Sequence, residues 1–188
     1  MAWLNNIFGT KNNSSAEDVV KFYQTMGFFD GSAPPEVVVE YSESHGRPPD
    51  PDKPWDDVFL LSLSKNGVWA EDPEADVCSE NKVYSDVLID WGSISFGAFS
   101  PTEITEDWGG ENGPVTLHFK LEGRSVSIQP AYLDDWIDLD ILKQINEGIA
   151  QSGREFAYAV DGNHSVVVCV TPEQKSLMRK QRKFPFAW

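Results

Sequence analysis

Carboxylates are the most abundant side chains here that can do chemistry: the 188-residue chain holds 30 Asp and Glu against 15 Lys and Arg. Glu103, Glu106 and Asp107 precede the stretch from Gly113 to Gly153, and Asp134, Asp135, Asp138 and Asp140 fall in its second half. If the chain folds back so that these groups meet, their oxygens would suit a hard cation or acid–base work. That would be a metal-dependent hydrolase built on Glu106, Asp107, Asp134 or Asp135. Helix starts and solvated loops account for the same acids without any site, and EF-hand spacing is absent.

Other reactive groups are sparse. His118 belongs to the polar face of an expected hairpin, His45 to a proline-rich loop and His164 to a turn, and none has a metal partner at a helical or turn spacing. No Ser sits in a nucleophile elbow, and Gly109-Gly110-Glu111-Asn112-Gly113 lacks the Lys of a phosphate loop. No catalytic residue, metal ligand or cofactor is therefore assigned. Tryptophan next to acid recurs instead: Trp55 before Asp56 and Asp57, Trp108 after Glu106 and Asp107, Trp136 after Asp134 and Asp135. Core packing explains tryptophans beside strands and helices. An exposed subset would form an interface with aromatic anchors and a charged rim, or a sugar-stacking platform.

The element that must position these residues is the stretch 113–153. Val115, Leu117, Phe119 and Leu121 alternate as one face of a strand, and Glu122-Gly123 supplies a two-residue turn. Phe119 then falls opposite Val126 and Leu117 opposite Ile128, because a one-residue slip would expose both partners. Pro130 ends the ladder. Leu133, Ile137, Ile141, Ile145 and Ile149 recur every four residues, with Trp136 and Leu142 widening the stripe. That spacing predicts a helix capped by Asp135 or Asp138 and stopped by Gly153.

Around it, Trp3, Leu4, Ile7 and Phe8 suggest an amphipathic turn in a mobile N-terminal segment, residues 1–14. Ser14 or Ser15 opens a helix that Gly27 stops. Val37, Val39 and Tyr41 read as a strand, 42–57 as a proline-rich loop, and Val58 to Ser64 as a strand returning through Asn66-Gly67 to Val68-Trp69-Ala70. Glu71 to Glu80 is an acidic loop. Residues 82–91 fit a helix ending near Trp91 and, less well, a strand; 94–99 and 102–108 are short strands or extended loop. Phe156, Tyr158 and Val160 alternate, and Ser165 to Val170 is apolar on both faces, as in a central strand. Thr171-Pro172-Glu173-Gln174 carries a capping box for a last helix. The fold class expected is α+β, a largely antiparallel sheet with three to four helices mainly on one face, in a single domain spanning residues 1–188.

A net charge of −15 with a pI near 4.4 excludes nucleic acid as the main partner, because phosphate contacts need a basic face. The same values describe many soluble bacterial proteins, and they would also complement a basic protein. Cys78 and Cys169 have no paired spacing. No signal peptide or membrane-length apolar run is seen, so the expected setting is cytoplasmic. Residues 171–188 run the other way, with Lys175, Arg179, Lys180, Arg182 and Lys183 against Glu173 alone. That tail either docks on the acidic body through Phe184, Phe186 and Trp188 or inserts into a partner. Three functions are compatible with these residues: an inhibitor or immunity-type protein masking a basic toxin or nuclease, the carboxylate hydrolase, or an accessory structural domain.

Overall fold

A computed structural model describes residues 15–111 and 113–188; the expected amphipathic turn at Trp3 to Phe8 lies outside them. Ser15 starts helix α1 (Ala16–Gln24) with a reciprocal capping box, its hydroxyl accepting from the Asp18 N–H while the Asp18 carboxylate accepts from the Ser15 N–H. The next two elements differ from their sequence reading. Residues 37–41 belong to helix α2 (Pro34–His45), not to a strand, and 58–64 to helix α3 (Pro54–Leu61) and the turn after it. In both, proline occupies the first turn, where its missing N–H costs no helical bond. Val37 and Tyr41 are four apart and buried, whereas Val39 is 55% exposed, which is a helical and not an alternating pattern. With no strand at 58–64 there is no hairpin at Asn66-Gly67. Gly67 instead has φ +70°, and a Cβ there would lie 2.6 Å from the Phe96 ring.

Strand β1 (Val68–Glu71) pairs at long range with the strand formed by residues 164–170. Helix α4 (Val83–Ile94) runs one turn past Trp91, so 94–99 are not strand. Strands β2 (Thr102–Trp108), β3 (Val115–Leu121) and β4 (Arg124–Ile128) make one antiparallel sheet in that order, with Phe119 opposite Val126 and Leu117 opposite Ile128, as the alternation required. Glu122 and Gly123 both take positive φ, +52° and +78°, the backbone of a type I′ turn. Helix α5 (Ile141–Ile149) follows, extended by a single 3-10 turn at Ala150–Ser152 and stopped by left-handed Gly153. Strands β5 (Glu155–Asp161) and β6 (His164–Val170) join β1 in a second antiparallel sheet of order β1-β6-β5, which puts β6 in the centre. Helix α6 (Pro172–Arg182) has the Thr171–Gln174 capping box.

The described residues thus form two three-stranded sheets and six α-helices, more than the three to four expected. The β1-β6-β5 sheet separates two cores. Val166, Val168 and Val170 face one, closed by α1, α2, α3 and α6; Val167 and Cys169 face the other, closed by α4, α5 and the apolar side of the β2-β3-β4 sheet. That two-sided cover is why β6 reads as apolar at every position. Among the described residues no helix is long and apolar enough to cross a membrane.

Candidate functional site

The acidic stretch before α5 is not a helix start. Leu133-Asp134-Asp135-Trp136 is a tight turn closed by the Trp136 N–H on the Leu133 carbonyl at 3.2 Å, with Asp134 at φ +54°. Two long-range bonds pin it: Ala75 N–H to the Asp135 carbonyl at 2.7 Å and Ile137 N–H to the Pro73 carbonyl at 2.8 Å. Leu133 is therefore 46% exposed, while Ile137 and Leu139 are buried. The four-residue apolar period ran through this turn although the helix begins only at Ile141.

Asp138 holds the loop together from inside. Its carboxylate accepts from Ala131 N–H at 2.7 Å and Asp140 N–H at 3.0 Å, while its own N–H donates to the Tyr84 hydroxyl at 3.0 Å. Asp140 is an acceptor shared by three elements: the Tyr158 hydroxyl at 2.9 Å and the Trp188 indole N–H at 3.2 Å reach Oδ1, and Lys143 reaches Oδ2 at 2.9 Å. The Lys143 hydrogen bond is the main reason the Asp140 carboxyl sits below the usual carboxylate range. Burial, reinforced by Asp140, pushes the Tyr158 phenol up to about 12.

Between this loop and the end of β5 lies an open groove of about 560 Å³, walled by Leu133, Trp136 and Tyr132 on one side and Tyr158 and Val160 on the other. Tyr132, Leu133 and Val160 are 43%, 46% and 38% exposed, so three large apolar side chains meet water together. The lining includes Asp134, Asp138 and Asp140 and no Lys or Arg. Beside the groove, the Asn163 carboxamide bonds the carboxylates of Asp72 at 3.2 Å and Glu74 at 2.6 Å.

The structure scatters the other sequence-derived candidates. Asp56 and Asp57 are 3% and 2% exposed and cannot rim an interface. Asp56 pairs with Arg47, and Asp57 takes a two-pronged bond from Arg182, at 2.8 Å to each oxygen, plus the Tyr23 hydroxyl at 2.6 Å. Trp55 packs against the core on the α1–α3 side of the sheet, away from the groove side. Glu106 is half-buried and occupied, accepting from Ser85 N–H at 2.7 Å and from the Trp108 indole at 3.0 Å, while Trp108 packs on the second core. Asp107, Asp134 and Asp135 are exposed, and Trp136 is half-buried. Only Asp134 and Trp136 of the nine line the groove. Among the described residues no three His, Cys, Asp or Glu side chains are arranged to hold a metal ion.

Sequence reasoning missed Tyr132, Tyr158, Val160 and Asp140 as groove residues. The available signal was Tyr158 and Val160 two apart at the end of a strand, which places both on one face. His118 bonds Ser127 across the hairpin at 2.6 Å, His45 stacks on Tyr41 with ring centres 4.1 Å apart, and His164 lies against Phe59 at 4.8 Å. The basic tail is seated on its own body. Phe184 is buried, the Ala187 N–H donates to the Tyr158 carbonyl at 2.9 Å, and Lys175 lies 4.6 Å over the Trp188 ring. Comparison with family models, with curated proteins and with solved structures gives no match for this chain.

Proposed function

We propose that this chain is a non-enzymatic interaction protein that covers a basic surface of a protein partner, in the manner of an inhibitor or immunity protein. The observation that carries this reading is the distribution of charge. Nine of the 30 carboxylates form ion pairs with cations among the described residues, and those pairs engage Arg47 and Arg182 within the chain. Most of the remaining acids are exposed, Asp134 among them at the apolar groove, an arrangement that would steer and then seat a cationic partner. Of the four carboxylates expected to do hydrolytic chemistry, Glu106 holds the Ser85 N–H and the Trp108 indole, while Asp107 lies on β2 and Asp134 and Asp135 in the turn before α5.

Affinity capture with the full chain in its native cell, followed by reconstitution of the purified pair, tests the reading. The expected partner is a basic protein bound one to one, with an affinity that falls steeply as salt rises. Reproducible absence of a partner, or a complex indifferent to salt, would refute it.

A further inference from the structure

The outer edge of β5 supplies a second, independent feature at the groove. The Asn146 carboxamide mimics a neighbouring strand at Phe156, donating to its carbonyl at 2.9 Å and accepting its N–H at 2.7 Å. One step along, the Tyr158 carbonyl accepts the Ala187 N–H. Backbone groups of alternate residues point the same way in an antiparallel strand. Phe156, Tyr158 and Val160 therefore all direct their peptide groups away from β6, consistent with the two-residue turn that pairs Asp161 with His164. The first two positions are covered. Among the described residues the Val160 N–H and C=O have no partner, and the Val160 side chain stands in the groove wall.

We infer that the groove beside Val160 receives an extended, basic segment of the partner protein, which hydrogen-bonds the free β5 edge and lays an Arg or Lys side chain between Trp136 and Tyr158 towards Asp134. This rests on the proposed function and assigns it a place. The occupant follows from the lining. Asp134 is the open acid of an apolar wall, since Asp138 accepts backbone N–H groups and Asp140 meets Lys143, and that pairing favours a cation on an aliphatic stem over an acidic or purely apolar segment. A groove of about 560 Å³ takes several residues, more than one side chain. An unpaired strand edge selects an extended backbone. The chain already puts the same chemistry to use nearby, where Lys175 lies over the Trp188 ring and the Trp188 indole meets Asp140.

The test uses the full chain and a capped octapeptide of alternating Val and Arg, with the Val and Glu analogue as control. Amide exchange by NMR should slow at Val160 by about tenfold or more on peptide binding, as expected for a newly formed backbone hydrogen bond. Asp134→Asn should weaken the peptide by about threefold to fivefold, the scale of one exposed charge pair. Asn tolerates the left-handed backbone of that turn, so the fold is preserved. N-methylation of the peptide's central residues should abolish binding. Unchanged Val160 exchange in the bound state, equal affinity of the Glu peptide, or no binding at low salt would overturn the inference. The two readings separate cleanly. A captured basic partner whose affinity ignores Asp134→Asn removes the groove and leaves the proposed function, whereas peptide binding with Val160 protection supports the groove even if capture fails.

Discussion

Replacing Arg182 with Met should be among the most destabilising single changes in this protein, and the loss should depend on pH. Arg182 joins α6 to α3 through two 2.8 Å bonds to Asp57, and it also donates to the Pro51 carbonyl at 2.8 Å. Asp57 is 2% exposed, so removal of the guanidinium leaves a buried carboxylate with only the Tyr23 hydroxyl. Stranding one member of a buried pair costs about 3–5 kcal/mol. Burial already lifts the Asp57 carboxyl above its ordinary value of 3.8, and the Arg182 hydrogen bonds are the largest opposing effect. For Arg182, burial opposes the charge but the bonds to Asp57 prevail and raise its pKa. The fork geometry makes both groups ions at neutral pH.

Without Arg182 the folded carboxyl rises further. Between the unfolded value and that raised one the native state binds the extra proton, so stability falls as pH rises through the window, by at most about 1.4 kcal/mol per unit. Urea denaturation followed by tryptophan fluorescence at about pH 5 and about pH 7.5 reads both effects. The variant should be less impaired at the lower pH, and adding Asp57→Asn should return much of the loss at the higher one. A loss below about 1 kcal/mol, the value of an exposed pair, or an equal loss at both pH values, would refute the reasoning.

Three further outcomes are expected. Deleting residues 184–188 removes a Phe184 side chain that is 3% exposed and the Ala187–Tyr158 bond, so stability should fall by about 2–3 kcal/mol, read as a lowered Tm in calorimetry. An unchanged Tm would mean the tail is not seated as described. Glu122→Asn should stabilise the β3–β4 turn by about 0.5 kcal/mol, since Glu122 sits at φ +52° where Asn is favoured; chemical denaturation should show the gain. Burial pushes the Cys169 thiol up to about 12, so a thiol reagent at neutral pH should label half-exposed Cys78 in the folded protein and reach Cys169 only on unfolding.

What could be read from the residue order follows the range of the forces involved. The β3–β4 hairpin was legible to the residue because a two-residue turn and a period of two leave only one register that buries Val126 and Ile128 together. The α6 start was legible because its capping box spans only four residues. Helices α2 and α3 were misread because β-branched Val37, Val38 and Val39 favour strand locally, while the deciding fact, that Val37 and Tyr41 share a core and Val39 does not, belongs to tertiary packing. Pro54, which the sequence reading puts in a proline-rich loop, starts α3, just as Pro34 and Pro35 start α2.

The candidate site was less legible for the same reason. Asp56 and Asp57 look like surface acids because one of their cations, Arg182, is 125 residues away, and no local pattern announces such a pair. The turn at 133–136 hides inside an apolar period that continues into α5, and only the bonds to Pro73 and Ala75 break it. One contrast within the set carries the functional argument. The acids that sequence proximity grouped with Trp55 were drawn inward, each matched by an arginine, whereas Asp134 beside Trp136 was left at the mouth of a groove with no cation in its lining. A buried carboxylate must be matched by a cation or by hydrogen-bond donors, as Asp57 is by Arg182 and Asp138 by backbone N–H groups, whereas an acid left outside stays open to whatever approaches. The chain holds two acids for every base and directs arginines to its interior pairs. On the proposed function, the groove beside β5 is where a cation from another molecule would meet an acid, an aromatic face and, among the described residues, an unpaired stretch of strand edge.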